Sequence, residues 1–404
     1  MAQHYNRYIA LDVLRGLTVA GMIMVNNSGF GGKVFTTLRH ASWAGCTLAD
    51  LVFPFFLFIV GSAMAFSFAK FNFSLSPDSL KKIFYRGILI FLVGVLLNAF
   101  PFYPLHPNGD LSFWENLSGY WSNVRIFGVL QRIAMCYVLG GIVALWFKKT
   151  KPIVIAMNLF MLLHWVILYL IGDSSAEGAN GVKGVFSLAG QGAGAIDIAL
   201  VGAKKVYYGY GIAFDPEGVL GTLSGVATVL LGYVIGGVIR DEKNKINVVA
   251  KLYTIGLLCV LGGIFWANWY PMVKALWTGS FVLYTGGWSI IMLAMFIFFI
   301  DIKGWGKIFT PFKAMGMNPL FAYVVAWLCS SIFGWMVTWK GSVLLGDGTM
   351  GEKTWSALSW YYVNVCQAIA GNTPVASLIY SLSYVAIFVI MALILYKKRI
   401  IIKL

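Results

Sequence analysis

Residues 26–61 read NNSGFGGKVFTTLRHASWAGCTLADLVFPFFLFIVG. The stretch leaves one apolar run, passes through a polar, Gly-rich loop and enters a second apolar run at Asp50 and Pro54. Two apolar runs joined by a polar loop form the pattern of two membrane helices and their connection. His40 lies in the loop and Asp50 where the next helix begins. A carboxylate at a membrane-helix entrance is costly, so it needs a partner or a task. An imidazole is the usual acid/base group near neutral pH, and a carboxylate can fix its tautomer and stabilise its charged form. The plainer reading makes His40 a solvated loop residue and Asp50 an N-terminal helix residue. Local chemistry leaves both open.

Working outward, the same alternation of apolar runs and polar loops fills the chain. Its 404 residues are 59% hydrophobic and 11% charged, and the mean hydropathy is +0.80. Those proportions exclude an ordinary soluble domain. Apolar runs of about 18–25 residues predict membrane helices over 9–27, 47–69, 83–100, 126–147, 152–172, 218–239, 247–269, 279–300, 317–338 and 374–396. The expected fold is therefore all-α, a polytopic integral membrane bundle of about ten helices, with residues 1–404 forming one domain. No cleavable signal peptide is expected, because Asp12 and Arg15 interrupt the first run and no small-residue cleavage site follows.

The net charge of +15 could point to nucleic acid, but the basic residues are not clustered as such a surface needs. Most fall on alternate loops: Arg7; Lys70, Lys81, Lys82 and Arg86; Lys148, Lys149 and Lys151; Arg240, Lys243, Lys245 and Lys251; Lys303, Lys307 and Lys313; and Lys397, Lys398, Arg399 and Lys403. This positive-inside asymmetry places both termini in the cytoplasm and the His40 loop on the outer face. No nucleic-acid partner is expected.

The five cysteines form no CxxC pattern, and there is no HExxH, Walker or GxSxG motif, so no metal site is expected. Cys46 and Cys366 both fall on the outer side, where a disulfide could join them. Asp12 and Arg15 share a helix face and read as a local ion pair, or as an arginine meeting an anionic ligand from the cytosol. Asn26 and Asn27 cap the first helix or hydrogen-bond a reacting carbonyl. Arg125 and Arg132 project from nearly one helix face, and Asp50 is a candidate partner for them. His106 reads as structural and His164 as a satisfied core histidine. The aromatics of 101–124 suit a membrane-interface belt or stacking on a ligand's ring. Segment 173–217 is Gly-rich punctuation ending in Asp215-Pro216-Glu217-Gly218. Those carboxylates either complement a helix dipole or meet a ligand from outside. Lys274 and Trp277 occupy a short outer loop. Residues 339–373, with Trp355, Trp360, Tyr361 and Tyr362, suit an amphipathic interfacial helix.

Two stretches taken together are distinctive: RYIALDVLRGLTVAGMIMVNN, then HASWAGCTLADLVFPFFLFIVGSA. They closely resemble the catalytic region of heparan-α-glucosaminide N-acetyltransferase and its bacterial relatives. RIFGVLQRIAMCY (125–137), FDPEGVLGTLSGVATVLLGYVIG (214–236), PMVKALWTGSFVLYTGG (271–287) and GMNPLFAYVVAWL (316–328) agree in order. The resemblance implies transfer of acetyl from cytoplasmic acetyl-CoA to a glucosamine amine across the membrane. It implies His40 as general base or acetyl carrier, with Asn26 and Asp50 beside it. Asp215, Glu217, Trp43, Arg125, Arg132, Lys274 and Trp277 are expected to bind the acceptor. Arg15, Lys70, Lys81, Lys82, Arg86, Lys243, Lys307, Lys313 and Asn318 are the candidates for acetyl-CoA. Two departures stand out. The eukaryotic enzyme carries a luminal domain and an extra helix before this region. Relatives also often have Asp-Arg where this chain has Asp197-Ile198, so no acceptor contact from an arginine is expected there. The expected setting is the lipid bilayer of a bacterial inner membrane, with a homodimer open. The competing readings are an amino-sugar transporter without chemistry and an O-acyltransferase acting on a glycan or lipid.

Overall fold

The computed structural model describes residues 8–29, 33–178, 182–344 and 350–402, so Arg7 and Lys403 lie outside the described residues. Ten long helices organise the chain: α1 Ile9–Asn26, α2 Leu48–Ser67, α3 Pro77–Ala99, α4 Val129–Phe147, α5 Thr150–Ile171, α6 Val219–Asp241, α7 Lys245–Trp266, α8 Gly279–Phe296, α9 Pro319–Ser331 and α10 Pro374–Lys397. Among the described residues, nine are long and apolar enough to cross a bilayer, some with the turns that extend them. The tenth, α3, is 23 residues long and carries Asp78, Lys81, Lys82 and Arg86 on its first turns. The chain is a polytopic, mostly helical membrane protein, as its hydropathy predicts.

Local chemistry sets the helix ends. Ser76 caps α3 with Pro77 at its first position, and Asn244 accepts from the backbone N–H groups of Ile246 and Asn247 at α7. Pro319 and Pro374 open α9 and α10. α8 and α9 run on into π-helical turns, Ile297–Ile302 and Ile332–Met336.

Burial sorts the helices into layers. α6 is the most enclosed, with 78% of its apolar window buried, while α9, α7 and α10 reach only 22%, 28% and 28% and form the lipid-facing side. Small residues let the central pair approach closely. A Cβ on Gly61 of α2 would fall 1.8 Å from the Val229 carbonyl oxygen, and one on Gly232 of α6 would fall 1.9 Å from that of Phe58. Lipid tails offer no hydrophobic drive for helices to associate, so such backbone contact supplies the packing energy.

The segments between the helices depart from the sequence reading in two places. Residues 339–373 do not begin as an interfacial helix. Thr338–Leu344 and Met350–Ser356 pair as an antiparallel hairpin with Trp339 opposite Trp355. A cross-strand tryptophan pair stabilises a ladder, and the short helices follow only from Ala357. All five cysteines are free, so Cys46 and Cys366 form no disulfide. Segment 182–217 is a folded cap. Its Val182, Phe186 and Phe214 join Trp43 and Tyr270 in a second hydrophobic cluster above the main core.

Candidate active site

The site grows from the start of α2. Thr47 and Asp50 form a capping box, with the Asp50 carboxylate accepting from the Thr47 N–H at 3.1 Å and its hydroxyl at 3.0 Å. The same oxygen accepts from Ala41 N–H at 3.0 Å. The other oxygen lies 2.8 Å from His40 Nδ1 and 3.1 Å from Lys274 Nζ. Capping and pairing with histidine are therefore one arrangement: one oxygen holds the loop and the other the imidazole. An ionised carboxylate only accepts, so Nδ1–H donates to Asp50 and Nε2 is left as the basic nitrogen. Lys274 Nζ also lies 3.0 Å from Nδ1, and its ammonium donates to the Asp50 oxygen. Asp50 is buried, whereas the His40 side chain is 42% exposed.

Two loops meet to build this group. Gly45 N–H donates to Met272 O, and Ala44 bridges Val273, which ties the His40 loop to the Lys274 loop. The Trp43 indole donates to Phe186 O at 2.8 Å and packs against Tyr210 and Phe214. Trp277 is buried, donates to Thr228 and meets Phe53 edge to face. Cys46 stays a thiol, because burial, with Asp50 adding, pushes it up to about 12.

His40, Asp50, Asn26, Trp43, Arg125, Glu217, Lys274 and Trp277 line a single cavity of about 260 Å³. Asn26 ends α1 and is exposed there, and no hydrogen bond among the described residues engages its amide. Sequence reasoning named these eight but missed Tyr207, Tyr210 and Tyr323, which share the wall. The first two sit in YYGYG, an aromatic cluster inside a segment read as punctuation; Tyr323 looks like any apolar-helix tyrosine.

Other expected residues stand off the cavity. Asp50 is not the arginines' partner, because it is saturated by the groups above. Arg125 instead makes a two-pronged bond to Asp215 at 2.8 and 2.7 Å and pairs with Glu217. Burial alone would lower the Arg125 guanidinium, yet hydrogen bonding to Asp215 and the charges of Glu217 and Asp215 hold it above its usual range. Asp215 is consumed in that pair and buried, which leaves Glu217 to face the cavity. Arg132 is buried behind Trp277, 5.2 Å from its ring centroid, and donates to Gly218 O at 2.8 Å. The residue that caps α6 is Asp197, which accepts from Val219 N–H at 2.9 Å. Burial pushes its carboxyl up to about 6, with Asp215 adding and the Val219 bond opposing. His164 is buried with the Tyr270 hydroxyl as its partner, as a core histidine.

A second cavity, of about 440 Å³, lies at the opposite end of the same helices. Arg15 and Arg86 line it, with Arg86 over the Tyr137 ring at 5.3 Å. Arg15 pairs with Asp12 at 3.2 Å and also reaches Gly316 O. The two cavities are stacked along α1, α2, α4 and α9. Only about one turn separates Phe53 from Phe56, Val129 from Ile133 and Leu320 from Tyr323. Of the other basic candidates, Lys70 and Lys82 sit over Phe71, and Lys313 donates to the Tyr396 hydroxyl. Lys81, Lys243 and Lys307 are exposed. Asn318 is spent on the chain end, donating to Ile400 O and accepting from Ile402 N–H, while its neighbours Met317 and Pro319 line the cavity.

Comparison with known proteins bears on this arrangement. A family model described as heparan-alpha-glucosaminide N-acetyltransferase, catalytic, matches residues 7–176, which hold His40, Asp50 and Asn26. The Mus musculus heparan-alpha-glucosaminide N-acetyltransferase is 29% identical over 368 residues, covering 79% of this chain and 53% of that protein. The chain is a relative of the heparan-alpha-glucosaminide N-acetyltransferase family. The Homo sapiens protein of the same name is 29% identical over 372 residues, covering 79% of this chain and 52% of that protein. The chain thus spans about half the length of the curated N-acetyltransferases it matches. Of the His40 cavity's lining, Asn26, His40, Trp43, Asp50 and Arg125 fall in the part that the catalytic family model covers.

Proposed function

We propose that this protein transfers acetyl from cytoplasmic acetyl-CoA to the amine of a glucosamine-type sugar on the outer side of the membrane. The observation that carries the reading is the His40–Asp50 pair in a cavity stacked one helical turn from a second cavity that holds two arginines. The anionic phosphates of acetyl-CoA suit the basic inner rim, with Arg15 and Arg86 nearest. Its thin pantetheine arm would run between α1, α2, α4 and α9, with the thioester beside His40. The positive-inside pattern supports this orientation, and in a bacterial inner membrane the outer side is the periplasm.

The residues divide the work. Of the charged side chains that line the outer cavity, Asp50 and Glu217 balance Arg125 and Lys274, and Glu217 is the carboxylate left to meet a cationic amine. Glu217 receives that ammonium, and Trp43, Tyr207 and Tyr210 offer the sugar aromatic wall. An ammonium cannot attack, so His40 Nε2 takes a proton and Asp50 stabilises the imidazolium. The amine nitrogen then adds to the thioester carbonyl. Asn26 donates to the oxyanion, a contact worth about 3 kcal/mol. As the C–S bond breaks, the adduct nitrogen loses its second proton to solvent, and the leaving thiolate receives the proton held by His40. In the ping-pong order, Nε2 itself adds to the carbonyl, the thiolate leaves, and the amine takes acetyl from His40.

Purified protein with acetyl-CoA and a panel of amino sugars tests the reading through thiol release and N-acetyl product. A single-turnover quench with labelled acetyl-CoA and no acceptor separates the two orders, since only ping-pong leaves label on His40. Sugar flux into vesicles without acetyl-CoA consumption would establish the transporter instead, and acetyl esters without amides the O-acyltransferase. Cysteine labelling at Lys148 and Gly109 should report opposite sides.

A further inference from the structure

Lys274 has more hydrogen-bonding capacity than its neighbours use. Its Nζ, the Asp50 oxygen and His40 Nδ1 form a triangle with sides of 3.1, 2.8 and 3.0 Å. An ammonium has three N–H groups and no acceptor. One goes to Asp50. Nδ1 carries the proton that it gives to Asp50, so it accepts nothing from Nζ. Among the described residues no other hydrogen bond or ion pair engages Lys274. Two N–H groups are therefore left, on a side chain that lines the reaction cavity and is 24% exposed. The backbone holds them in place. Val273 N–H donates to the Thr278 hydroxyl at 3.1 Å, and Ala44 bridges Val273, so the Lys274 loop is braced on both sides. The other cation on the cavity wall is already spent: Arg125 is held by Asp215 and Glu217.

Lys274 is a poor partner for the acceptor, because like charges repel and the sugar amine arrives as an ammonium. It suits the charge that the reaction creates. When the amine nitrogen adds to the thioester carbonyl, the π electrons move to the carbonyl oxygen, which becomes an oxyanion. Nζ stands beside the ring whose other nitrogen, Nε2, does the chemistry, so the oxygen can touch the ammonium while its carbon faces Nε2. We propose that Lys274 is a catalytic residue that donates, together with Asn26, to this oxyanion. The proposal rests on the transferase reading and gives Lys274 a task other than sugar binding. As the oxyanion collapses, C=O re-forms and the C–S bond breaks; Lys274 keeps its proton throughout. The same contact serves the ping-pong order, where Nε2 itself adds to the carbonyl. A charged donor aimed at a developing anion acts in the transition state, so Lys274 governs kcat rather than binding.

The test uses two acetyl-CoA analogues that do not turn over. S-(2-oxopropyl)-CoA is a neutral ketone, and S-phosphonomethyl-CoA sets a tetrahedral anion at the same position. Both carry the same nucleotide phosphates, so their difference reads that anion alone. Calorimetry on the purified full chain should show Lys274→Met losing roughly tenfold or more in affinity for the phosphonate and less than about twofold for the ketone. Lys274→Arg keeps a charged donor and should lose less on the phosphonate than Lys274→Met. Equal losses on the two analogues, or no loss on either, would overturn the proposal, because a lysine that only supports Asp50 or the loop does not distinguish them. In steady state Lys274→Met should lower kcat by about 10²–10³, the size expected of one oxyanion donor, with both KM values within about twofold. A raised acceptor KM at unchanged kcat would make Lys274 a sugar-binding group and overturn the proposal. Failure of wild type to acetylate any sugar, with the phosphonate difference intact, overturns the transferase reading and leaves the anion contact standing.

Discussion

Replacing Asp50 with asparagine separates the two jobs of its carboxylate. One oxygen accepts from Ala41 N–H, Thr47 N–H and the Thr47 hydroxyl; the other serves His40 and Lys274. The two backbone N–H groups on the loop side can only donate, so the amide oxygen takes that side. The amide NH₂ then faces His40 Nδ1 and the Lys274 ammonium. Nδ1 must accept, which moves the imidazole proton to Nε2, the nitrogen that has to take the substrate's proton. The carboxylate-to-amide change in a serine-protease triad has this tautomer effect and costs about 10⁴ in kcat. Asp50→Asn should therefore lower kcat by about 10³–10⁴, or roughly 4–5.5 kcal/mol of barrier. The KM for acetyl-CoA should stay within about twofold, because the arginine-lined cavity is a helical turn away. Thiol release from acetyl-CoA, read with saturating acceptor, is the assay. A fall in kcat of less than tenfold would refute the dependence of His40 on Asp50. A raised acceptor KM with unchanged kcat would make Asp50 a binding group instead.

Neutralising the inner arginines should act on the other substrate: Arg86→Gln and Arg15→Gln should each raise the acetyl-CoA KM about tenfold with little change in acceptor KM, as steady-state kinetics will read. Asp197 makes stability depend on pH. Its carboxyl is raised to about 6 in the folded protein, so its contribution is fully present below about pH 4 and is lost as pH rises through about 6. Thermal melts in detergent should fall across that window for wild type and flatten for Asp197→Asn, with roughly 2–3 kcal/mol at stake. Gly232→Ala would place a methyl 1.9 Å from the Phe58 carbonyl oxygen, so the α2–α6 crossing must spread. The melting temperature should drop by an amount matching about 1–3 kcal/mol of overpacking, read by fluorescence-detected size exclusion.

The helices were legible because a bilayer allows little else. Once the backbone must satisfy itself in lipid, an apolar run of span length has one reading. The His40–Asp50 pair was legible because both residues lie in one short loop and helix start. Partners distant in sequence were harder to read. Arg125 was placed near the site, but its choice of Asp215 and Glu217 over Asp50 depends on how segment 182–217 folds back over α4 and α6. That segment's Gly-rich composition hides its packing, and so Tyr207 and Tyr210 were missed. The hairpin at Thr338–Ser356 was missed because its tryptophans also suit an interfacial helix, and only their cross-strand register distinguishes the two. The stacking of two cavities along α1, α2, α4 and α9 cannot be read from periodicity at all, since it depends on which faces of four separated helices converge.

The central claim is that His40 carries the acetyl-transfer chemistry while groups at the other end of the bundle hold acetyl-CoA. Purified His40→Ala, assayed beside wild type for N-acetylation of the amino-sugar panel and for acetyl-CoA binding by calorimetry, tests both halves together. The account predicts that transfer disappears and that acetyl-CoA still binds with wild-type affinity. Near-normal N-acetylation by His40→Ala would contradict it.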